Sequence, residues 1–77
     1  MLEKMLKDVC DYTGYEVHFT NKKEVVCINK NSKDEEAEIY HNIVEALKSW
    51  LPTMEEQNEG IDGMWEKEIL YIKSVLL

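Results

Sequence analysis

Leu2, Met5, Leu6 and Val9 fall at i, i+3, i+4 and i+7, with Glu3, Lys4, Lys7, Asp8 and Asp11 between them. That spacing places the apolar side chains on one narrow stripe of a helix. Gly14 follows, where a helix can end in the left-handed backbone that glycine adopts freely. The period then changes to two. Tyr15-Glu16-Val17-His18-Phe19-Thr20 alternates apolar and polar as a half-buried strand does, and Glu24-Val25-Val26-Cys27-Ile28-Asn29 is a second, β-branched run. Asn21-Lys22-Lys23 reads as the turn of a hairpin. A two-residue turn at Asn21-Lys22 pairs Val17 with Val26 and Tyr15 with Ile28. A four-residue turn from Asn21 to Glu24 pairs Phe19 with Val26 and Val17 with Ile28. Both registers bury the same set, so the pattern leaves the register open.

Asn31-Ser32-Lys33 breaks the second strand. Ser32 and Glu35 have capping-box spacing, and Asp34 would sit in a first turn, where the helix dipole favours anions. The pattern predicts a helix from Ser32 to Leu51 that buries Tyr40, Ile43, Val44, Leu47 and Leu51. Pro52 is expected to stop or sharply bend it. Thr53 and Glu56 repeat the capping-box spacing, which predicts a short new helical turn. Asn58-Glu59-Gly60 and Gly63 mark a loop. In the last segment Trp65, Ile69, Ile72 and Leu76 align as a helical stripe, and Asp62 is placed to cap it. A strand would align Leu70, Ile72 and Leu76 but meets Ser74 and Glu68 on that face. Helix is the preferred reading and a third strand the alternative. A hairpin alone is marginal, so its apolar face needs helical cover. The expected architecture is α+β, a single domain over 1–77 in the order α-β-β-α-α.

Charge changes the picture more than composition does. Eleven carboxylates lie between Asp34 and Glu68 against Lys48 and Lys67, a local net charge of −9, whereas the remainder carries +2. Such a surface repels nucleic acid and attracts basic partners. All nine basic residues are lysines. Without arginine, the side chain that grips guanine and phosphate bidentately, direct sequence-specific DNA binding is not expected. No signal peptide is apparent at Met1-Leu2-Glu3-Lys4, and no apolar run approaches the roughly 20 residues that span a bilayer. The expected location is cytoplasmic, without membrane association.

Cys10, His18, Cys27 and His41 are separated by eight, nine and fourteen residues. Structural zinc sites use closer pairs, so neither a metal nor any other cofactor is expected, and the cysteines read as buried or half-buried free thiols, with a Cys10–Cys27 disulfide the alternative in an oxidising compartment. Reactive cysteines sit in electropositive surroundings, unlike these. No phosphate loop, dinucleotide fingerprint or Ser-His-Asp order occurs. The chain is not expected to be an enzyme.

The acidic surface is the remaining candidate. On a Ser32–Leu51 helix, Glu35, Glu38, Asn42, Glu45 and Ser49 would face away from the apolar stripe. Glu38 and Glu45 would then stand about 10 Å apart on one side. Glu55, Glu56, Glu59 and Asp62 extend the row. Asp34, Glu35, Glu38, Glu45, Glu55, Glu56, Glu59 and Asp62 are the candidate partner-binding residues, a row of carboxylates in place of a row of phosphates. The alternative is a homodimeric structural or regulatory subunit, joined through apolar helix faces that include Leu70, Leu76 and Leu77, whose acids only solvate it.

Tyr15-Glu16-Val17 after a first helix, Ile43-Val44-Glu45 in the acidic helix and the ending Ile72-Lys73-Ser74-Val75-Leu76 resemble segments of small acidic phage-encoded anti-CRISPR proteins. These inhibit type II effector nucleases. The resemblance implies a stoichiometric inhibitor in the cytoplasm of a bacterial host. Its carboxylates would occupy the basic groove where the nuclease reads target DNA, as a DNA mimic. That family has a third strand before its acidic helix, for which Asn31 to Glu36 leaves no room here.

Overall fold

A computed structural model describes residues 2–34 and 36–77. The chain forms two compact units, Met1–Ala46 and Leu47–Leu77.

The first unit opens with helix α1 (Leu2–Thr13), whose stripe supplies the buried Leu6, Val9 and Cys10. Gly14, at φ +87°, ends it. A Cβ at Gly14 would lie 2.3 Å from the Asn31 amide nitrogen, so both backbone angle and space call for glycine. Lys30 N–H donates to the Gly14 carbonyl at 3.1 Å, which fixes the start of strand β1 (Tyr15–Phe19) beside the end of β2 (Val25–Asn29). The two strands pair antiparallel, and α1 packs beside β1.

Their register is neither of the two expected. Phe19 faces Val25, Val17 faces Cys27 and Tyr15 faces Asn29. A three-residue turn, Asn21-Lys22-Lys23, separates them, with Lys23 at φ +65°. The Thr20 hydroxyl accepts the N–H groups of Lys22 (3.3 Å) and Glu24 (3.1 Å), and Thr20 N–H donates to the Glu24 carbonyl at 3.0 Å. This is the type I turn with a left-handed third residue that favours three-residue hairpins. One residue of slip moves every side chain of β2 to the opposite face. Val25 and Cys27 are therefore buried, and Val26 and Ile28 occupy the other face. Relieving the left-handed strain by Lys23→Gly is expected to raise stability by roughly 0.5–1 kcal/mol, read as the chemical-denaturation midpoint.

The larger correction concerns the start of the expected Ser32–Leu51 helix: residues 32–34 and 36–40 are not helical. After a turn in which Asn31 N–H donates to the Asn29 side chain at 2.9 Å, Ala37–Tyr40 forms strand β3. It pairs antiparallel with β2, giving the sheet order β1-β2-β3. The reversal fits into so few residues because Asn29 supplies the turn from its own side chain. β2 presents an edge that a helix at this position would leave unpaired. The expectation that no third strand fits before the acidic helix is overturned, because the strand takes Ala37–Tyr40, residues whose spacing also reads as helical. The Glu35 half of the expected capping box lies outside the described residues.

Asn42 instead begins helix α2 (Ile43–Gly60). Its side-chain oxygen accepts the Glu45 N–H at 3.0 Å and its carbonyl the Ala46 N–H at 3.1 Å. Asn42→Ala is expected to cost about 1 kcal/mol, measurable by thermal unfolding.

In the second unit α2 runs through Pro52, overturning the expected stop and the separate turn from Thr53. Leu47, Trp50, Leu51 and Met54 are all buried, two helical turns of apolar surface on both sides of the proline. Burying those side chains, at about 1.5–3 kcal/mol each, outweighs the roughly 3 kcal/mol that an interior proline costs. Asn58, Glu59 and Gly60 are consequently helical rather than loop. The turn lies at 61–65, with Gly63 at φ +80°.

Asp62 does not cap the next helix. Trp65 N–H donates to the Asn58 side chain at 2.8 Å and the Trp65 indole donates to Gln57 at 2.8 Å. Helix α3 (Glu66–Tyr71) continues as a wider π-type turn over Ile72–Leu76, in which Leu77 N–H reaches the Ile72 carbonyl at 3.1 Å. The expected stripe holds here: Trp65, Ile69 and Ile72 are buried and Leu76 is half-buried. The whole is α+β, with a third strand added to the expected order.

Candidate acidic interface

Carboxylates cover both units. Met1–Ala46 carries ten of them against six lysines, a net −4, and Leu47–Leu77 carries six against three, a net −3.

In the first unit Asp34 is exposed in the turn before β3. Glu35 lies outside the described residues. Glu38 is exposed in the middle of β3 and accepts the Tyr40 hydroxyl. Glu45 is exposed in the first turn of α2, where the helix dipole favours its charge. The expected helical row from Glu38 to Glu45 is therefore absent: one residue stands on a strand and the other on a helix. Sheet alternation governs the strand instead. Glu38 lies opposite Cys27, and the Asn29 N–H donates to the Glu36 carbonyl at 2.9 Å, so the ladder extends one residue before β3. Glu36 and Glu38 consequently share one face. Glu36 is exposed and belongs with the candidates. Period-two reading of 36–40 would have found it, had the helical period not been preferred there.

In the second unit Glu55, Glu56 and Glu59 lie on α2 itself rather than in a loop, and Asp62 is exposed in the turn that follows. Glu55 is half-buried and receives the Lys73 ammonium at 3.1 Å, a contact that ties α2 to the terminal turn. It is more structural than available. Glu56 and Glu59, at i and i+3, share an exposed side of the helix. Among the described residues, no lysine stands within 4.0 Å of Glu38, Glu45, Glu56, Glu59 or Asp62.

Other chemistry is sparse. Among the described residues no group of three or more His, Cys, Asp or Glu side chains could hold a metal ion. Cys10 and Cys27 are free and buried. The contact with Cys27, then burial and the nearby Cys27 and Asp11 charges, raises the Cys10 thiol above its ordinary pKa, so it stays protonated and poorly nucleophilic. Both thiols are expected to react with iodoacetamide only on unfolding, which mass spectrometry of native and urea-treated protein would read directly. A groove of about 570 Å³ in the first unit is lined by Glu3, Phe19, Thr20, Lys23, Asn42 and Ile43. It offers one carboxylate and one ammonium beside an aromatic ring. Among the described residues no helix is long and apolar enough to cross a membrane.

The fold and its surface define an acidic α+β module. No protein-family model, curated protein or solved structure matches the chain.

Proposed function

We propose that this chain is a non-enzymatic acidic binding protein, an inhibitor that docks on the basic nucleic-acid-binding surface of a partner as a DNA mimic. The observation that carries this reading is the placement of Glu36, Glu38, Glu45, Glu56, Glu59 and Asp62 at exposed positions in a stretch with net charge −9. Exposed ion pairs are individually worth about 0–1 kcal/mol, so recognition comes from their sum and from steering of the encounter. The resemblance to anti-CRISPR proteins makes a type II effector nuclease the first partner to try, in the cytoplasm of a bacterial host.

An affinity capture from bacterial lysate, eluted with rising salt, tests the reading. Release of one basic nucleic-acid-handling protein between moderate and high salt is the expected result. Recovery of the bait alone would overturn it.

The second reading, a homodimer with a merely solvating acidic surface, draws on a different observation. Leu70 (58%), Val75 (60%) and Leu77 (66%) are exposed at the C-terminal end. A salt-insensitive dimer in sedimentation would favour that reading, and a monomer the first.

A further inference from the structure

The acidic residues of the first unit surround a feature that charge alone does not use. β3 is an edge strand of the sheet. In an antiparallel ladder, residues alternate between turning their N–H and C=O toward the neighbour and away from it. The bond from Asn29 N–H to the Glu36 carbonyl sets the phase. Glu36, Glu38 and Tyr40 turn their backbone toward β2, whereas Ala37 and Ile39 each turn one N–H and one C=O away from the sheet.

The side chains divide in the same rhythm. Ala37 lies opposite Ile28, and Ile39 opposite Val26. His18 and Glu16, 3.4 Å apart, continue that face on β1. The face is apolar toward the β3 edge, and Ile39 is 67% exposed. On the opposite face of the same edge stand Glu36 and Glu38.

We infer that the β3 edge is a strand-addition site for an extended, basic segment of a partner protein, in which apolar residues alternate with lysine or arginine. The backbone of that segment would pair with Ala37 and Ile39. Its apolar side chains would lie beside Ala37 and Ile39, and its cations beside Glu36 and Glu38. Cross-strand partners of opposite charge are favourable and like charges directly opposite are not. A second copy meets like charges in two of its three registers: antiparallel pairing of two β3 strands centred on Ala37 sets Glu36 against Glu38, and pairing centred on Glu38 sets that residue against itself, whereas pairing centred on Ile39 sets Glu38 against Tyr40. The carboxylates that discourage self-pairing are the ones that select a basic strand.

The inference rests on the acidic-binding reading for its charge, and adds backbone pairing to it. Three synthetic probes separate the two: a short peptide alternating lysine and valine, the same peptide N-methylated at every second backbone nitrogen, and a lysine-only peptide of equal charge. Each is titrated into the ¹⁵N-labelled full chain at low salt. The alternating peptide is expected to shift the Ala37 and Ile39 amides and slow their exchange. It should bind at least about tenfold more tightly than the N-methylated peptide, since that peptide forfeits main-chain hydrogen bonds. Ile39→Pro, which removes an outward N–H, should produce a similar loss, and Ile39→Thr, which keeps strand propensity, only part of it.

Equal binding of all three peptides would overturn strand addition while leaving the acidic reading intact. Failure of the alternating and lysine-only peptides alike would overturn both. A β3-mediated dimer that excludes the alternating peptide would overturn the basic-strand assignment in favour of a second copy.

Discussion

Replacing Glu38, Glu56 and Glu59 together by lysine is expected to weaken partner binding by about 100-fold or more at low salt and to leave helix content unchanged. The three side chains are exposed, and no lysine pairs with them among the described residues. Their removal therefore breaks no ion pair among the described residues. The Glu38 bond from Tyr40 is lost at modest cost, because an exposed hydrogen bond contributes only about 0.5–1.5 kcal/mol. Lysine at position 59 sits in the last turns of α2, where a cation is favoured by the dipole. The partner captured from lysate would be titrated against both proteins by calorimetry, with circular dichroism as the folding control. Unchanged affinity with intact helix content would remove the acidic surface from the mechanism.

Trp65→Ala is the substitution expected to hurt the fold most, by about 3–5 kcal/mol. Trp65 is buried at the junction of the 61–65 turn and α3, and its indole N–H donates to Gln57. Truncation empties that position and leaves the Gln57 carbonyl without its donor. A chain of 77 residues has a total stability of roughly 4–12 kcal/mol, so the loss is a large fraction of the whole. Trp65→Phe keeps most of the apolar volume and should cost only about 1–2 kcal/mol, chiefly the hydrogen bond. Urea unfolding followed by circular dichroism measures both. A Trp65→Ala midpoint within error of the parent would show that α3 does not depend on this residue.

The acidic candidates show how far residue-level reading reaches. The exposure of Asp34, Glu38, Glu45, Glu56, Glu59 and Asp62 was legible from the apolar stripes beside them, and the charge imbalance is a property of composition. Their arrangement was not. Placing Glu38 and Glu45 on one helix assumed that Ser32 and Glu35 start it, whereas Asn42 does so and Glu38 belongs to a strand. Ala37-Glu38-Ile39-Tyr40 satisfies both periods over so short a span. Glu55, an equal member of the row by sequence, is drawn to Lys73 by the return of the chain eighteen residues later.

By itself the sequence determined what nearest neighbours along the chain decide. It set the stripe of α1 and its end at Gly14, the existence of the hairpin, the helical stripe Trp65-Ile69-Ile72 and the concentration of negative charge. Each follows from side chains within a few turns or one strand length, where local sterics and periodicity suffice. Only the tertiary structure decided the hairpin register, the third strand and the passage of α2 through Pro52. In each of these a local preference is nearly balanced or adverse. A distant contribution tips it: Lys30 on Gly14, the open edge of β2, and the buried side chains that flank the proline. Packing and edge pairing act between residues that the sequence separates, so no local pattern records them.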